Sequence, residues 1–334
     1  MTILSAVLCC DASPQQGLGH LQRCRVLAQT IVARGGQAHI LCITQNGSDL
    51  GPEPANVGMT MAPIGDEQRC LEKLVHERQA TLLIIDHYRA DPGYQRQLEE
   101  FALPWLQFDY RHAFEIRARW IVNINPFASA DAYVGLVADN SRLLLGPQYA
   151  ILRSEFNVPN SYTVGEVRNV LVMLGGGDDR GVAQKLIGWL SKENVEMQLV
   201  TTRLNPRLAD LQRLALENTM VSLLIEPPSI AELMCGADLA ISAGGTTTFE
   251  LVSQRIPFLS VALADNQVNL CKAWESLGVS LHLGNISELD EAGFHDKWRR
   301  VAPLEERMKM RQNASCHCDS AGAERIVREI ETWL

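Results

Sequence analysis

The sequence lacks the features that would place the protein at a membrane or on nucleic acid. No run of about 18 apolar residues occurs, so no segment is long enough to form a transmembrane helix. The formal net charge is −9 and the pI is about 5.4, so the chain also lacks the basic surface that non-specific binding to nucleic acid or anionic lipid requires. We therefore expect no membrane insertion and no nucleic-acid partner.

The chain also lacks a cysteine pattern of the kind that forms disulfides or binds metals. Its nine cysteines are irregularly spaced and mostly lie inside apolar runs, which is typical of buried free thiols in a reducing compartment. Cys316, His317 and Cys318 are adjacent, but no Cys-x-x-Cys pair accompanies them. We predict a cytoplasmic protein with no metal site, and we expect no cofactor.

Short apolar runs alternate with amphipathic segments along the whole chain. This alternation predicts parallel β-sheets with helices on both faces, and 334 residues suit two domains of ordinary size. The polar segment 153–168, which lacks clear periodicity, is the predicted linker. We expect α/β domains at 1–155 and 165–318, and a closing helix at 319–334 that packs back on the first domain. Within the first domain, a helix is also predicted over 131–138.

A glycine loop with a histidine lies near the start of the chain. Gly17-Leu-Gly19-His20 stands between an apolar run at 3–10 and an amphipathic segment at 24–34, and this pattern predicts a strand, a tight loop and a helix. The histidine then lies where the loop enters the helix, beside free backbone N–H groups. Such a position suits an anion and a proton-transfer group, although a lone histidine in a glycine loop is weak evidence by itself.

A second glycine loop, Gly244-Gly245-Thr246, follows the predicted strand at 238–242 in a matching context. Glycines allow a diphosphate to approach the backbone, and the helix start and threonine hydroxyls supply hydrogen-bond donors. Glu250 lies one turn into the predicted helix, within reach of a ribose diol. The alternative is that Thr246 only caps the helix and the glycines only form a turn.

A polar turn, Asp265-Asn266-Gln267, follows the next predicted strand. By strand order this turn opens on the same carboxyl edge of the sheet as the second glycine loop, which is where ligands bind in open α/β sheets. Asn266 and Gln267 are neutral hydrogen-bonding groups that suit phosphate or sugar hydroxyls. A plain helix cap at Asp265 or Asn266 is the alternative.

Two further predicted strands end in turns that suit contact with a ligand. Asp86-His87-Tyr88 follows an apolar strand of the first domain, and Tyr88 could lay its ring on a sugar. Alternatively, Asp86 caps the next helix and Tyr88 packs at the edge. Gly175 and Gly176 end the first strand of the second domain, where they fit either diphosphate contact or a simple turn.

Taken together and in this order, these motifs resemble the PseG (SpsG-like) family of nucleotide-sugar hydrolases. The resemblance also includes Leu145-Gly-Pro-Gln-Tyr149 and Gly322-Ala-Glu-Arg-Ile326, so it extends over essentially the whole chain. The Gly-Gly-Thr…Glu part alone is shared with MurG-like glycosyltransferases. The resemblance implies a GT-B fold, in which two Rossmann-like domains with parallel sheets face each other across a cleft, with UDP bound by the second domain.

The same resemblance implies an activity and a set of site residues. Members of the family release UDP from UDP-2,4-diacetamido-2,4,6-trideoxy-β-L-altropyranose in pseudaminic acid synthesis, without a metal and with inversion at the anomeric carbon. We expect neutral His20 to take a proton from the attacking water, with Asp11 or another nearby carboxylate orienting its imidazole ring. The expected substrate-binding residues are Asp11, Gly17, Gly19, Arg23, Tyr88, Asn266 and Gln267. The expected UDP-binding residues are Gly175, Gly176, Ile225, Gly244, Gly245, Thr246 and Glu250.

The chain departs from the family pattern near the expected sugar pocket. Many members have Asp-Asp after the strand at 103–108, where this chain has Phe108-Asp109-Tyr110-Arg111. The exact sugar is therefore left open, and so are three other functions: a MurG-like glycosyltransferase, a UDP-sugar 2-epimerase and a nucleotide-sugar-binding module. In each case a nucleotide sugar is the expected partner, and we expect a monomer.

Overall fold

The structure, a computed structural model, describes residues 3–12, 19–44, 50, 54–110, 112–157 and 165–333. The chain folds as two units. Unit 1 comprises Met1–Ser154 together with Ser320–Leu334, and unit 2 comprises Glu155–Asp319. No helix in the described residues is long and apolar enough to cross a membrane.

Unit 1 is built on a seven-stranded parallel sheet in the order β3-β2-β1-β4-β5-β6-β7. Strand β1 is buried along its whole length, as expected for a parallel sheet covered on both faces. The strand order reverses between β1 and β4, and Asp11 and Asp86 end these two strands at that switch point. The strands are β1 (Ser5–Asp11), β2 (Gln37–Ile43), β3 (Gly58–Ala62), β4 (Leu82–Asp86), β5 (Trp105–Phe108), β6 (Trp120–Asn123) and β7 (Arg142–Leu145).

Three helices of unit 1 connect its first strands. They are α1 (Gly19–Ala33), α2 (Glu67–Glu77) and α3 (Pro92–Glu99). The helix predicted over 131–138 is wrong, because the chain forms only a short 3₁₀ turn at Ala130–Tyr133. Val134 then adopts an extended conformation with its side chain 79% exposed, and Gly135 follows with φ +75°, which ends any helix there.

Unit 2 repeats this topology with a six-stranded parallel sheet in the order β10-β9-β8-β11-β12-β13. Its switch point lies between β8 and β11. Because β11 and β12 are parallel neighbours, the glycine loop and the polar turn that follow them open on the same edge, as predicted. The strands are β8 (Asn169–Met173), β9 (Glu196–Thr201), β10 (Val221–Ile225), β11 (Leu239–Ala243), β12 (Phe258–Ala262) and β13 (Ser280–Asn285).

Seven helices cover the sheet of unit 2 in the described residues. Buried aliphatic and aromatic side chains, among them Leu186, Ile241 and Phe294, form the core. The helix α9 begins at Glu291, because Asp290 caps it by accepting a hydrogen bond from the N–H of Gly293 at 2.7 Å. The helices are α4 (Val182–Leu190), α5 (Leu208–Glu217), α6 (Ile230–Cys235), α7 (Thr247–Ser253), α8 (Asp265–Ser276), α9 (Glu291–Val301) and α10 (Leu304–Ala314).

The closing helix, α11 (Gly322–Glu331), is part of unit 1 and packs against α1. Arg34 pairs with Glu331, with Nη2 and Oε2 2.5 Å apart. A Cβ atom at Gly322 would overlap the backbone carbonyl of Ala150, so a glycine is needed for the helix to pack this closely.

Candidate functional site

His20 lies in the first turn of α1, next to the carboxyl end of β4, and its side chain is buried. Its Nδ1 lies 2.7 Å from Oδ1 of Asp86. Nη2 of Arg23 lies 3.1 Å from the same nitrogen but makes its shorter contact, 2.8 Å, with Oδ1 of Asp86. An ionised carboxylate can only accept a hydrogen bond, so the 2.7 Å contact with Asp86 assigns the hydrogen to Nδ1. In the neutral ring, Nε2 then keeps the lone pair that a general base needs.

Arg23 fixes Asp86 from the same face of α1. Its Nε and Nη2 donate to Oδ2 and Oδ1 of Asp86 at 2.9 and 2.8 Å, a bidentate pair. The guanidinium also lies 5.6 Å from the ring centre of Phe108 and 5.7 Å from that of Tyr110. Burial by itself raises the pKa of Asp86, but Arg23 and His20 outweigh it and hold that pKa below its usual value. The carboxylate therefore stays charged beside the imidazole.

The carboxylate that orients His20 is Asp86 rather than Asp11. Oδ1 of Asp11 lies 2.6 Å from Nη2 of Arg89, with which it forms an ion pair. Burial raises the pKa of Asp11. The sequence separation of 66 residues between His20 and Asp86 hid this pair from the sequence analysis.

Of the other expected sugar-side residues, the structure brings Tyr88 and Arg23 to His20. The rings of Tyr88 and His20 make an edge-to-face contact, with centroids 4.9 Å apart at 86°, while Tyr88 stays 44% exposed. Gly19 opens α1, and a Cβ atom there would meet nothing within 4 Å among the described residues. Gly17 lies outside the described residues.

A second buried network, which sequence analysis missed, centres on Glu67 at the start of α2. Its Oε1 accepts hydrogen bonds from the Tyr94 hydroxyl at 2.7 Å and the Cys9 thiol at 3.4 Å, and lies 3.2 Å from Nε2 of His87. Arg89 donates to Oε2 at 3.0 Å. Burial and the neighbouring Glu67 raise the pKa of Cys9, which keeps it a thiol donor.

Three members of this network have the types of atom that bind metals. Cys9, Glu67 and His87 offer ligand atoms within 4.8 Å of one another. The guanidinium of Arg89, however, already supplies a positive charge to the Glu67 carboxylate. The arrangement is therefore a hydrogen-bonded network around one buried carboxylate, and it connects α2 and α3 to the ends of β1 and β4.

In unit 2, the two glycines after β11 have different surroundings. A Cβ atom at Gly244 would collide with Sγ of Cys271 and lie 3.0 Å from Cβ of Gln267, so α8 can pack against the loop only if this residue is glycine. At Gly245, no described atom lies within 4 Å of that position, and φ is not in the left-handed region. Packing thus explains Gly244, whereas neither packing nor backbone conformation explains Gly245.

The residues after these glycines open α7. Thr246 is the N-cap residue but makes no side-chain cap hydrogen bond. Instead, the Thr248 hydroxyl donates to the carbonyl of Gly245 at 2.7 Å and accepts from the indole N–H of Trp274 at 3.0 Å. These two hydrogen bonds link the loop to the buried indole of Trp274. Glu250 lies half-buried in α7.

In the polar turn that opens α8, Gln267 has a structural contact, whereas Asp265 and Asn266 are exposed. Oε1 of Gln267 accepts the backbone N–H of Leu263 at 2.9 Å, so this carboxamide holds the end of β12. Asn266 is exposed in the first turn of α8. Ala264 is the N-cap of that helix, with no side-chain cap bond, which contradicts the alternative that Asp265 or Asn266 is the cap.

The remaining expected UDP-binding residues lie at other strand ends of unit 2. Gly175 has φ +91°, a conformation that favours glycine, just beyond β8. The carbonyl of Gly176 accepts a hydrogen bond from the Thr202 hydroxyl. Ile225 ends β10, two strands away from β8 in the sheet.

The two parallel sheets, their shared strand order and their flanking helices define a GT-B fold of two Rossmann-like units. The structure is similar to that of MurG from Acinetobacter baumannii, with a TM-score of 0.69 and 14% identity over 98% of this chain and 99% of that one. It is also similar to Phytolacca americana UGT2 complexed with UDP-2-fluoroglucose and pterostilbene, with a TM-score of 0.70 and 14% identity over 100% of both chains. The predicted fold class is confirmed.

Comparison of sequences indicates which enzymes of this fold the chain is similar to. No family model matches the chain. The chain is similar to the UDP-2,4-diacetamido-2,4,6-trideoxy-β-L-altropyranose hydrolase of Campylobacter jejuni, with 26% identity over 77% of this chain and 91% of the relative. It is also similar to the spore coat polysaccharide biosynthesis protein SpsG of Bacillus subtilis, with 22% identity over 96% of both. These similarities confirm the predicted resemblance and the expectation of an enzyme.

Proposed function

We propose that the chain is a hydrolase that releases UDP from a UDP-linked diacetamido-trideoxy hexose, UDP-2,4-diacetamido-2,4,6-trideoxy-β-L-altropyranose, in pseudaminic acid biosynthesis. The similarity to the Campylobacter jejuni relative supports the substrate class. The observation that carries the reaction type is the buried Asp86–His20 pair at the switch point of unit 1, 2.7 Å between Oδ1 and Nδ1. This pair provides a base for water.

In the proposed mechanism, Nε2 of His20 takes a proton from water as its oxygen attacks the anomeric carbon. The bond between that carbon and the diphosphate oxygen breaks, UDP leaves with the bonding electrons, and attack from the opposite face inverts the configuration. The charged Asp86 stabilises the imidazolium that forms, and Arg23 holds Asp86 in place.

UDP is proposed to bind unit 2 at the loop 244–246. Gly245 supports this assignment, since nothing in the described packing requires a glycine there and the open backbone suits close approach of a diphosphate. Thr246, which makes no cap bond, adds a donor, and Glu250 is proposed to hold the ribose diol. In this scheme, backbone N–H groups stabilise the negative charge of the diphosphate, so no metal is needed.

The alternative is a MurG-like glycosyltransferase, which would bind UDP in the same way but transfer the sugar to a hydroxyl acceptor instead of water. The structural similarity to MurG keeps this candidate open.

One assay separates these functions. The protein is incubated with the UDP-diacetamido sugar in ¹⁸O-labelled water without an acceptor. Free sugar with solvent oxygen at the anomeric carbon is the result expected for the hydrolase. Absence of UDP release until an acceptor is added would identify a transferase, and a rearranged UDP-sugar would identify an epimerase.

A further inference from the structure

A small cavity lies beside the Asp86–Tyr88 turn of unit 1. Its volume is about 30 Å³, and the segment after β5 forms much of its wall. A buried water needs about 10–15 Å³, so the cavity has room for two or three non-hydrogen atoms. Tyr88, which contacts the ring of His20, is also part of its lining. One side chain, that of Tyr88, therefore links the cavity to the proposed catalytic residue.

Two residues that line this cavity each have a buried polar atom with no hydrogen-bond partner among the described residues. Gln107 is 4% exposed and its Oε1 is unpaired, and the hydroxyl of Tyr110 is buried and unpaired as well. Both residues line the cavity. Buried polar atoms are rarely left unpaired in folded proteins, so the pair points to a group that is bound there. The carboxamide oxygen accepts a hydrogen bond, and the phenol can donate one.

The other residues that line the cavity indicate which kind of chemical group binds there. Phe108, Ala113 and Phe114 present apolar surface that suits a methyl group. Asp109 also lines the cavity, and its carboxylate disfavours an anionic group there. A carbonyl and a methyl group, three non-hydrogen atoms in all, match the volume of the cavity. With an N–H group attached outside this volume, they make up an acetamido group.

We propose that this acetamido pocket, lined by Tyr88, Gln107, Tyr110 and Phe114, receives an acetamido substituent of the sugar. Oε1 of Gln107 accepts its N–H, the Tyr110 hydroxyl donates to its carbonyl, and its methyl packs on the aromatic wall. The inference rests on the proposed function, since it takes the bound sugar to be the one processed at His20. Tyr110 and Gln107 are then specificity-determining residues.

The test compares wild type with Tyr110→Phe, which removes the hydroxyl but keeps the ring, and with Tyr149→Phe as a matched control elsewhere in unit 1. UDP release is measured with the diacetamido substrate and with an analogue that carries hydroxyls in place of the acetamido groups. We expect Tyr110→Phe to lower the ratio of kcat/KM between the two substrates about tenfold, and Tyr149→Phe to leave it unchanged. The proposal is refuted if Tyr110→Phe leaves the ratio unchanged, whether kcat/KM stays the same or falls equally for both substrates.

A binding measurement keeps this inference separate from the proposed function. If wild type releases no UDP from either compound, the hydrolase proposal fails, but the affinity for the diacetamido substrate can still be compared by calorimetry and by saturation transfer to its acetyl methyl protons. Weaker binding and loss of methyl saturation in Tyr110→Phe alone support the pocket. Equal affinity and saturation in the two variants contradict it.

Discussion

Replacing Asp86 with asparagine tests the catalytic arrangement most directly. Asp86 accepts hydrogen bonds at 2.7 Å from His20 and at 2.8 and 2.9 Å from Arg23. An asparagine amide turned toward His20 donates to Nδ1, which moves the ring hydrogen to Nε2 and removes the lone pair that accepts the proton of water. A general base contributes on the order of 10²–10⁴-fold to a rate. We expect kcat to fall by that factor, which corresponds to about 3–5 kcal/mol in the barrier.

The assay is UDP release at saturating substrate, with Asp11→Asn as the matched control. Both aspartates are buried and end strands that flank the same switch point, but Asp11 pairs with Arg89 instead of His20. Asp11→Asn is therefore expected to retain much more of kcat. Calorimetric titration with UDP reports whether unit 2 is intact in each variant. The reasoning is refuted if folded Asp86→Asn keeps kcat within about threefold of wild type, or if Asp11→Asn loses as much.

Three further outcomes follow from the same geometry. His20→Asn should abolish turnover in the UDP-release assay while calorimetry still detects UDP binding. Gly245→Ala should weaken UDP binding about tenfold without lowering the melting temperature, whereas Gly244→Ala, which meets Cys271, should destabilise the protein by about 1–3 kcal/mol in urea titrations. Because the folded-state pKa of Asp86 lies below its ordinary 3.8, its contribution to stability is complete above that value. It should disappear as the pH falls further, in unfolding measurements against Asp86→Asn.

The sheets could be predicted from the sequence because parallel strands buried on both faces appear as continuous apolar runs. The predicted strand at 238–242, for example, corresponds to β11 within one residue at each end. The pattern at 131–138 failed because spacing alone does not report burial. Of its apolar residues, Tyr133 is buried but Val134 is largely exposed. Gly135, with its positive φ, was the available signal against a helix.

The polar contacts of the site were harder to predict than its location. Glycine loops and polar strand ends are local patterns, so the sequence analysis could select them, whereas the strand order that places switch points between β1 and β4 and between β8 and β11 came from the structure. The partner of His20 depends on which side chain at the end of β4 meets α1, and that is decided by tertiary packing. The Glu67 network has the same origin, because it joins α2, α3 and the ends of two strands.

The two units have the same strand order, but different residues end the strands at their switch points. This difference supports the proposal that unit 2 binds UDP and unit 1 activates water. In unit 1, the two strands that flank the point end in carboxylates, Asp11 and Asp86, which pair with Arg89 and with Arg23 and His20. In unit 2, the corresponding strands end in Met173 and Ala243, and glycines follow both. The glycine backbone beyond these strand ends offers N–H donors to a diphosphate. A carboxylate beside a histidine instead favours proton transfer, so UDP is better placed in unit 2 and the water in unit 1.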